Sequence, residues 1–171
     1  MSERSGFLCS GCGQHHDELP MNFSAPAPDL WSPLLAEDPE SYLTSDLCVI
    51  KGQAFFVHGL VEIPVTDTGE TFSWGVWVSL SRDNFDRTVI LWETPGRESE
   101  PAYFGWLSTS LPLYSPATGD LKTNLHTRPI GERPFIELEP TDHPLAVEQR
   151  TGITRARVQQ IVEFLLHPGQ P

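Results

Sequence analysis

The sequence has few basic residues for its length. Eleven lysines and arginines stand against 23 aspartates and glutamates in a chain of 171 residues, which gives a formal net charge of −12. A surface with this balance repels a phosphate backbone or an anionic membrane at long range. The charge therefore disfavours nucleic acids and membranes as partners and leaves proteins, small-molecule ligands and cations.

Long apolar runs are also missing. No run approaches the ~18 residues that a membrane-spanning helix needs, and no apolar h-region follows the early charges of MSERSGFLCSGCGQHH. Three cysteines are an odd number in a chain large enough to fold without disulfides. We therefore expect a cytoplasmic protein with reduced thiols.

The common catalytic loops are absent from the sequence. It contains no Gly-x-Ser-x-Gly nucleophile elbow, no Gly-x-x-x-x-Gly-Lys phosphate-binding loop and no Gly-x-Gly-x-x-Gly dinucleotide fingerprint. Hydrolases, nucleotidases and dehydrogenases of these types therefore lose their usual sequence support. Whether the protein is an enzyme stays open, and the absence favours a role without catalysis.

Alternating apolar residues give the clearest structural signal. Five apolar residues alternate with Ser73, Gly75, Trp77 and Ser79, which is the two-residue period of a half-buried strand. They are Phe72, Trp74, Val76, Val78 and Leu80. Ser81 can cap a following helix in which Phe85, Val89 and Trp92 would face the sheet. Shorter strands are predicted at 47–51, 54–63, 103–109, 121–127 and 134–138.

These elements predict a single α+β domain over residues 1–171. Its mainly antiparallel sheet has five or six strands, packed by the mid-chain helix and a C-terminal helix pair, with a zinc-knuckle-like segment at the N-terminus. The predicted regions are 9–20 for the knuckle-like segment, 20–46 for a proline-rich wrap, 47–138 for the sheet with one helix and 141–167 for the helix pair.

The predicted C-terminal helices have two interpretations. Helices at Pro144–Arg150 and Arg155–Leu166, separated by Gly152, imitate a helix-turn-helix that carries Arg155 and Arg157 near the start of its second helix. In the simpler interpretation Gly152 is the C-cap of an ordinary helix pair. The net charge favours the simpler one.

A candidate metal site begins at the spacing of two cysteines. Cys9 and Cys12 are two residues apart and precede Gly13, so one tight turn can aim both sulfurs at a single cation. Tetrahedral Zn²⁺ prefers soft or borderline ligands, and His16 and Cys48 can complete the set. His126 or His143 can replace one of them.

Other interpretations of the thiols stay open. Cys9 and Cys12 can be exposed thiols in a mobile tail while Cys48 is a small buried hydrophobic residue. A redox pair would need a thioredoxin-like βαβ setting, which the sequence around Cys9 does not predict. If zinc is bound, four protein ligands indicate a structural site. Three ligands and water indicate hydrolytic chemistry, with Asp17, Glu18 or Asp46 as a base.

An aromatic groove is the second candidate site. Trp77 points away from Trp74 on the predicted strand, among small residues, and Phe104 and Trp106 can extend it into a shallow ligand-binding groove. The alternative is that a second layer, formed by the proline-rich wrap or the C-terminal helices, covers these rings.

Several strings of the sequence resemble a bacterial family of uncharacterised proteins, domain of unknown function 2199. The similar strings are CSGCGQHHDELP, SDLCVI, FSWGVWVSLS, YFGWLS and RPFIELEPTDHPLAVEQRTGIT, which together span nearly the whole chain. The resemblance implies kinship and assigns no activity.

Three functions remain as hypotheses. The first is a non-enzymatic cytosolic binding or interaction protein with a structural zinc ion, whose partner is a protein or a small molecule. The second is a zinc-dependent enzyme with an open coordination position. The third is DNA binding through the C-terminal helix pair.

Overall fold

The computed structural model describes residues 6–167, and ten strands and three α-helices lie in that range. The strands are β1 (Phe7–Leu8), β2 (His15–His16), β3 (Asn22–Ser24), β4 (Tyr42–Leu43), β5 (Leu47–Ile50), β6 (Ala54–Pro64), β7 (Thr71–Leu80), β8 (Tyr103–Leu107), β9 (Lys122–His126) and β10 (Phe135–Leu138). The helices are α1 (Arg82–Ile90), α2 (Pro144–Thr151) and α3 (Arg155–Leu166). Single 3-10 turns occur at Pro33–Glu37 and Arg97–Ser99.

Five of the strands close into a barrel. β6 and β7 form a long antiparallel ladder, and antiparallel pairing continues from β7 to β8, β9 and β10. β10 returns to β6 through a parallel pairing of Phe135 with Leu60. Because β6 and β7 are longer than the barrel needs, their remaining edges pair with strands outside it, β5 with β6 and β3 with β7. β4 pairs with β5 at the outer end.

The α+β class predicted from the sequence is confirmed, and the sheet prediction is corrected. The main sheet contains eight strands rather than five or six, and it closes on itself instead of staying open. Closure leaves the barrel strands without free edges, which removes the aggregation hazard of an exposed edge strand. Closure of the barrel depends on the pairing of Phe135 with Leu60, which lie 75 positions apart in the chain. No local sequence pattern predicts such a pairing.

Apolar side chains lie on both faces of the β6–β7 ladder. The larger cluster fills the barrel and the space under the helices, with Phe72, Trp74 and Ile136 among its buried members. The smaller cluster consists of Cys48, Phe56 and Trp77 on the other face, where Ala25 and Trp31 of the proline-rich segment pack against it. The segment predicted as a wrap therefore covers the second face of the ladder.

Helix α1 starts at its predicted cap but does not bury the whole of its predicted face. The Ser81 hydroxyl accepts from the Asn84 N–H to start α1, and Phe85 packs against the Phe55 ring at 5.2 Å. Val89 and Trp92, expected on the buried face, are exposed, and the helix ends at Ile90, before Trp92. Gly152, with φ +83°, separates α2 from α3 as predicted.

No helix within residues 6–167 combines the length and the apolar character that crossing a membrane would require.

Candidate metal centre

The short hairpin of β1 and β2 brings three candidate ligands together. The two strands pair Phe7 with His16, and the turn between them is closed by the Cys9 N–H donating to the Gln14 carbonyl at 2.9 Å. The Gly13 N–H donates back to the Cys9 carbonyl at 2.9 Å. Gly13 has φ +72°, a left-handed conformation that glycine adopts without a steric cost. Cys9 and the loop that carries Cys12 therefore lie beside His16 at the end of β2.

The C-terminal helix α3 brings a fourth ligand from the far end of the chain. His167 is the C-cap of α3, and its N–H donates to the Glu163 carbonyl at 3.0 Å. The helix docks on the hairpin because both the N–H and the hydroxyl of Ser10 donate to the Glu163 carboxylate. One turn earlier, the Gln159 amide donates to the Leu8 carbonyl at 2.9 Å.

The contact between Ser10 and Glu163 also lowers the pKa of the Glu163 carboxyl. The Ser10 hydroxyl, which donates to the Glu163 carboxylate, holds the pKa of that carboxyl below its usual range, and the Gln159 amide acts in the same direction. Hydrogen bonds to the ionised form favour it over the protonated form. The carboxylate therefore stays charged at neutral pH and keeps α3 against the hairpin.

One ligand atom from each of Cys9, Cys12, His16 and His167 lies within 4.8 Å of the other three. The Cys12 sulfur and His16 Nε2 are 3.5 Å apart. Zinc bonds of about 2.3 Å to sulfur and about 2.0–2.1 Å to nitrogen would place tetrahedral ligands roughly 3.3–3.8 Å apart. The cluster is slightly wider than that sphere and would contract around the ion.

The cluster is buried on the side of Cys9 and exposed at Cys12, so it suits a partly buried cation with two sulfur ligands. Cys9 is 1% exposed, and the Phe7 ring stacks on His16 with centroids 5.0 Å apart. His167 Nε2 is buried and has no hydrogen-bond partner among the described residues. A buried polar atom without a partner costs free energy, and coordination of a metal would remove that cost.

A family model described as an uncharacterized protein conserved in bacteria (DUF2199) matches residues 8–153. The chain belongs to this family. The DUF2199 match contains Cys9, Cys12 and His16 and ends before α3, so His167 lies outside the matched segment. No curated protein matches the chain, and no solved structure does.

Cys48, the predicted fourth ligand, is replaced in the cluster by His167. It lies on β5, is 0% exposed, and packs with Phe56 and Trp77 in the smaller hydrophobic cluster. Burial raises the pKa of its thiol to about 11, so the thiol is neutral at physiological pH. Cys48 behaves as the small buried hydrophobic residue of the alternative interpretation.

The two histidines considered as substitute ligands have other partners. His126 Nε2 lies 3.2 Å from Glu137 Oε1 on the outside of the barrel. His143 caps α2 by accepting from the Leu145 N–H, and its Nε2 lies 2.8 Å from the Pro116 carbonyl. No sequence spacing indicated His167 in their place, because only the docking of α3 on the hairpin brings its ring to the cysteines.

Trp77 is separated in the structure from the other two aromatic residues of the predicted groove. Trp77 is 0% exposed, its indole N–H donates to the Ala25 carbonyl at 2.9 Å, and its ring stacks on His58. Phe104 and Trp106 are exposed on β8 and meet edge to face at 5.1 Å. Trp77 therefore lies under the proline-rich segment, as in the alternative interpretation, and forms no groove with the other two.

The arginines of the C-terminal helix pair bond within the protein. The Arg157 guanidinium donates to the Glu148 carboxylate and to Gln160, and the Arg155 guanidinium donates to the Gly6 carbonyl. Arg150 donates to the Thr141 carbonyl. These contacts tie α3 to α2 and to the hairpin, and they engage the side chains that a DNA backbone would have to contact.

Proposed function

We propose that the protein is a non-enzymatic binding protein in which a structural zinc ion, bound by Cys9, Cys12, His16 and His167, joins the N-terminal hairpin to α3. The observation that carries the proposal is the convergence of these four ligand atoms within 4.8 Å. Four protein ligands fill a tetrahedral zinc sphere and leave no position for a reacting water.

The ligand types favour zinc over other common cations. Thiolate sulfur and imidazole nitrogen suit zinc, whereas Mg²⁺ and Ca²⁺ select oxygen ligands. Two thiolates also neutralise the two positive charges of the ion, so the site adds no net charge where Cys9 is buried. Two thiolates and two imidazoles are thus a ligand set suited to a structural zinc ion.

The proposed ion would hold together two parts of the chain that are far apart in sequence. The hairpin strands are two residues long and cannot form a stable unit alone. Binding energy at a metal site that does not exist in the unfolded chain contributes directly to folding stability. We infer that the ion stabilises the hairpin on α3 without taking part in chemistry.

The two other functions have less support. An enzyme with an open zinc position would use one protein ligand fewer than the four that converge. Of its candidate bases, Asp17, Glu18 and Asp46, the last pairs with Arg133 at 3.0 Å. DNA binding would need arginines that are free to contact phosphates, whereas Arg157 and Arg150 donate to groups within the chain. A binding role remains, with the partner being a protein or a small molecule.

Metal content tests the proposal. Protein purified without a histidine tag should contain about one zinc per chain by elemental mass spectrometry, and a chelator should remove the zinc and lower the melting temperature together. The His126→Ala variant is the matched control and should keep its zinc. Protein without zinc would refute the metal site. Zinc removal with no change in melting would contradict a structural role and favour the open-site enzyme.

A further inference from the structure

A separate cavity opens between α1 and the connection from β9 to β10. Its volume is about 150 Å³, and the buried side chains of Val57 and Leu125 form part of its wall. Trp92 and Ile130, both exposed, stand at its rim. None of the four candidate metal ligands lines it. The cavity is therefore a second site, independent of the hairpin.

The apolar part of the cavity fits a small apolar group. Apolar cavities of about 150 Å³ accommodate one benzene ring, and larger drug-sized ligands occupy ~300–1,000 Å³. Exposed apolar side chains such as Trp92 and Ile130 beside a cavity are typical of ligand-binding surfaces. The expected occupant is thus a small molecule with a single ring or a short chain.

The polar part of the cavity is dominated by a buried arginine. Arg97 is 8% exposed and donates to the backbone carbonyls of Trp92, Arg128, Pro129 and Glu132. These bonds use four of its five N–H groups, and no carboxylate within residues 6–167 lies within ion-pair distance of it. A buried charge is costly without a counter-charge, and an anion in the cavity would supply one.

A second arginine offers donors at the same cavity. Arg133 Nε donates to the Asp46 carboxylate at 3.0 Å, while its two terminal nitrogens have no acceptor among the described residues. Arg128, the third arginine of the lining, already donates both terminal nitrogens to Glu62. The planar guanidinium fork matches the geometry of a carboxylate. Arg97 and Arg133 are therefore the groups available to an anionic ligand.

Acidic residues at the cavity limit the charge that it can accept. The side chains of Glu93 and Glu132 also line it, and both residues are exposed, so water and salt screen their repulsion. The three arginines of the lining, Arg97, Arg128 and Arg133, are matched by the three carboxylates of Asp46, Glu93 and Glu132, so its formal charge is zero. A lining without excess positive charge accepts one negative charge more readily than a multiply charged phosphate.

We propose that this cavity binds a small monocarboxylate with one apolar ring or short apolar chain. The apolar group lies against Val57 and Leu125, and the carboxylate accepts hydrogen bonds from Arg97 and Arg133. This inference rests on the proposed binding function and names its ligand class.

A titration with phenylacetate tests the inference, with the neutral phenylacetamide as the matched probe. The full-length, ¹⁵N-labelled protein is titrated, and amide shifts of residues 127–134 and the Trp92 indole N–H are followed by NMR. Phenylacetate should produce saturable shifts at these positions, and phenylacetamide should bind about ten-fold more weakly because it lacks the charge.

Two variants localise the effect. Ile130→Glu places a negative charge at the rim on a side chain that is 48% exposed, so folding should be unaffected and phenylacetate affinity should fall about ten-fold. Ile90→Glu makes the same change on a residue that is 70% exposed and outside the cavity lining, and it should alter affinity less than about two-fold.

Three results would overturn the cavity proposal. They are the absence of saturable shifts with phenylacetate, equal affinity for phenylacetamide, and equal effects of the two variants. Zinc is measured in the same samples. A cavity that fails to bind in zinc-containing protein would refute this inference and leave the proposed zinc-stabilised binding protein standing. If the protein as purified contains no zinc and still binds phenylacetate, the zinc site is refuted and the cavity proposal stands.

Discussion

The barrel and the N-terminal hairpin are stabilised in different ways. The barrel combines a closed ladder of strands with a large buried cluster that includes Trp74 and Ile136. The hairpin has strands of two residues and a few hydrogen bonds to α3, and it contributes only Phe7 and Cys9 to that cluster. Burial of apolar surface can stabilise the first region, whereas the second needs a further link. This contrast predicts that metal removal affects the hairpin and leaves the barrel folded.

The largest loss of stability should follow a change in the barrel core. Trp74→Ala removes a side chain that is 2% exposed and whose indole N–H donates to the Tyr114 hydroxyl at 3.1 Å. We expect the free energy of unfolding to fall by about 3–5 kcal/mol, with or without zinc. Urea denaturation measures it. The control is Trp106→Ala on the barrel surface, and an equal loss there would contradict the account.

Removal of a metal ligand should have a smaller effect that depends on zinc. Cys12 is exposed, so Cys12→Ala removes little packing and acts mainly through the metal. We expect loss of zinc and a decrease of about 2–3 kcal/mol in the free energy of unfolding, comparable to the loss of a cross-link. Chelation of the wild-type protein should reproduce the decrease. A further decrease when the variant itself is chelated would show that the other three residues still bind zinc.

Replacement of Cys48, the third cysteine, should leave zinc binding intact, in contrast to replacement of Cys12. Cys48→Ala should keep the zinc and lower the free energy of unfolding by about 1 kcal/mol, because it leaves a small cavity beside Phe56 and Trp77. In the native metal-free protein, iodoacetamide should modify Cys12 and spare Cys48, whose thiol is buried and neutral. Mass spectrometry of the labelled peptides checks the pattern. Loss of zinc in the Cys48→Ala variant would instead indicate that Cys48 is a zinc ligand.

The smallest effect should come from the contact that docks α3. Glu163→Gln weakens the hydrogen bonds from Ser10, and a loss below about 1 kcal/mol is expected because the contact is exposed. The pKa of Glu163 is lowered in the folded protein, so its contribution is present above the ordinary glutamate pKa. It disappears as the pH falls through the lowered value.

The pH dependence of this contact requires metal-free samples, because acid also protonates zinc ligands. The difference in unfolding free energy between wild-type protein and Glu163→Gln should be constant near neutral pH and shrink in acid. A difference that grows in acid would contradict the assigned contact.

Local patterns in the sequence predicted local structure well. The alternation in residues 72–80 matches β7, and the boundaries of α2 and α3 around Gly152 match the predicted helices closely. The Cys9 and Cys12 spacing indicated two ligands, since a short turn is enough to bring them together. The buried face of helix α1 was harder to predict than its position in the chain. Val89 and Trp92 fit a buried stripe by spacing, yet their side chains are 43% and 37% exposed.

Features that depend on distant contacts could not be predicted from these patterns. The Phe135–Leu60 pairing that closes the barrel joins segments with no shared local signal. His167 becomes a candidate ligand only because Gln159 and Glu163 dock α3 on the hairpin. Cys48 carries the same chemistry as Cys9 in sequence, and only the packing of β5 shows that its sulfur is surrounded by aromatic rings.

Zinc K-edge X-ray absorption of the full-length protein tests the central claim most directly. Coordination by Cys9, Cys12, His16 and His167 predicts two sulfur neighbours at about 2.3 Å and two nitrogen neighbours at about 2.0–2.1 Å. His167→Ala should lose one nitrogen or the whole site. A first shell of oxygen and nitrogen only, or a spectrum that is unchanged in His167→Ala, would contradict the proposed link between the two ends of the chain.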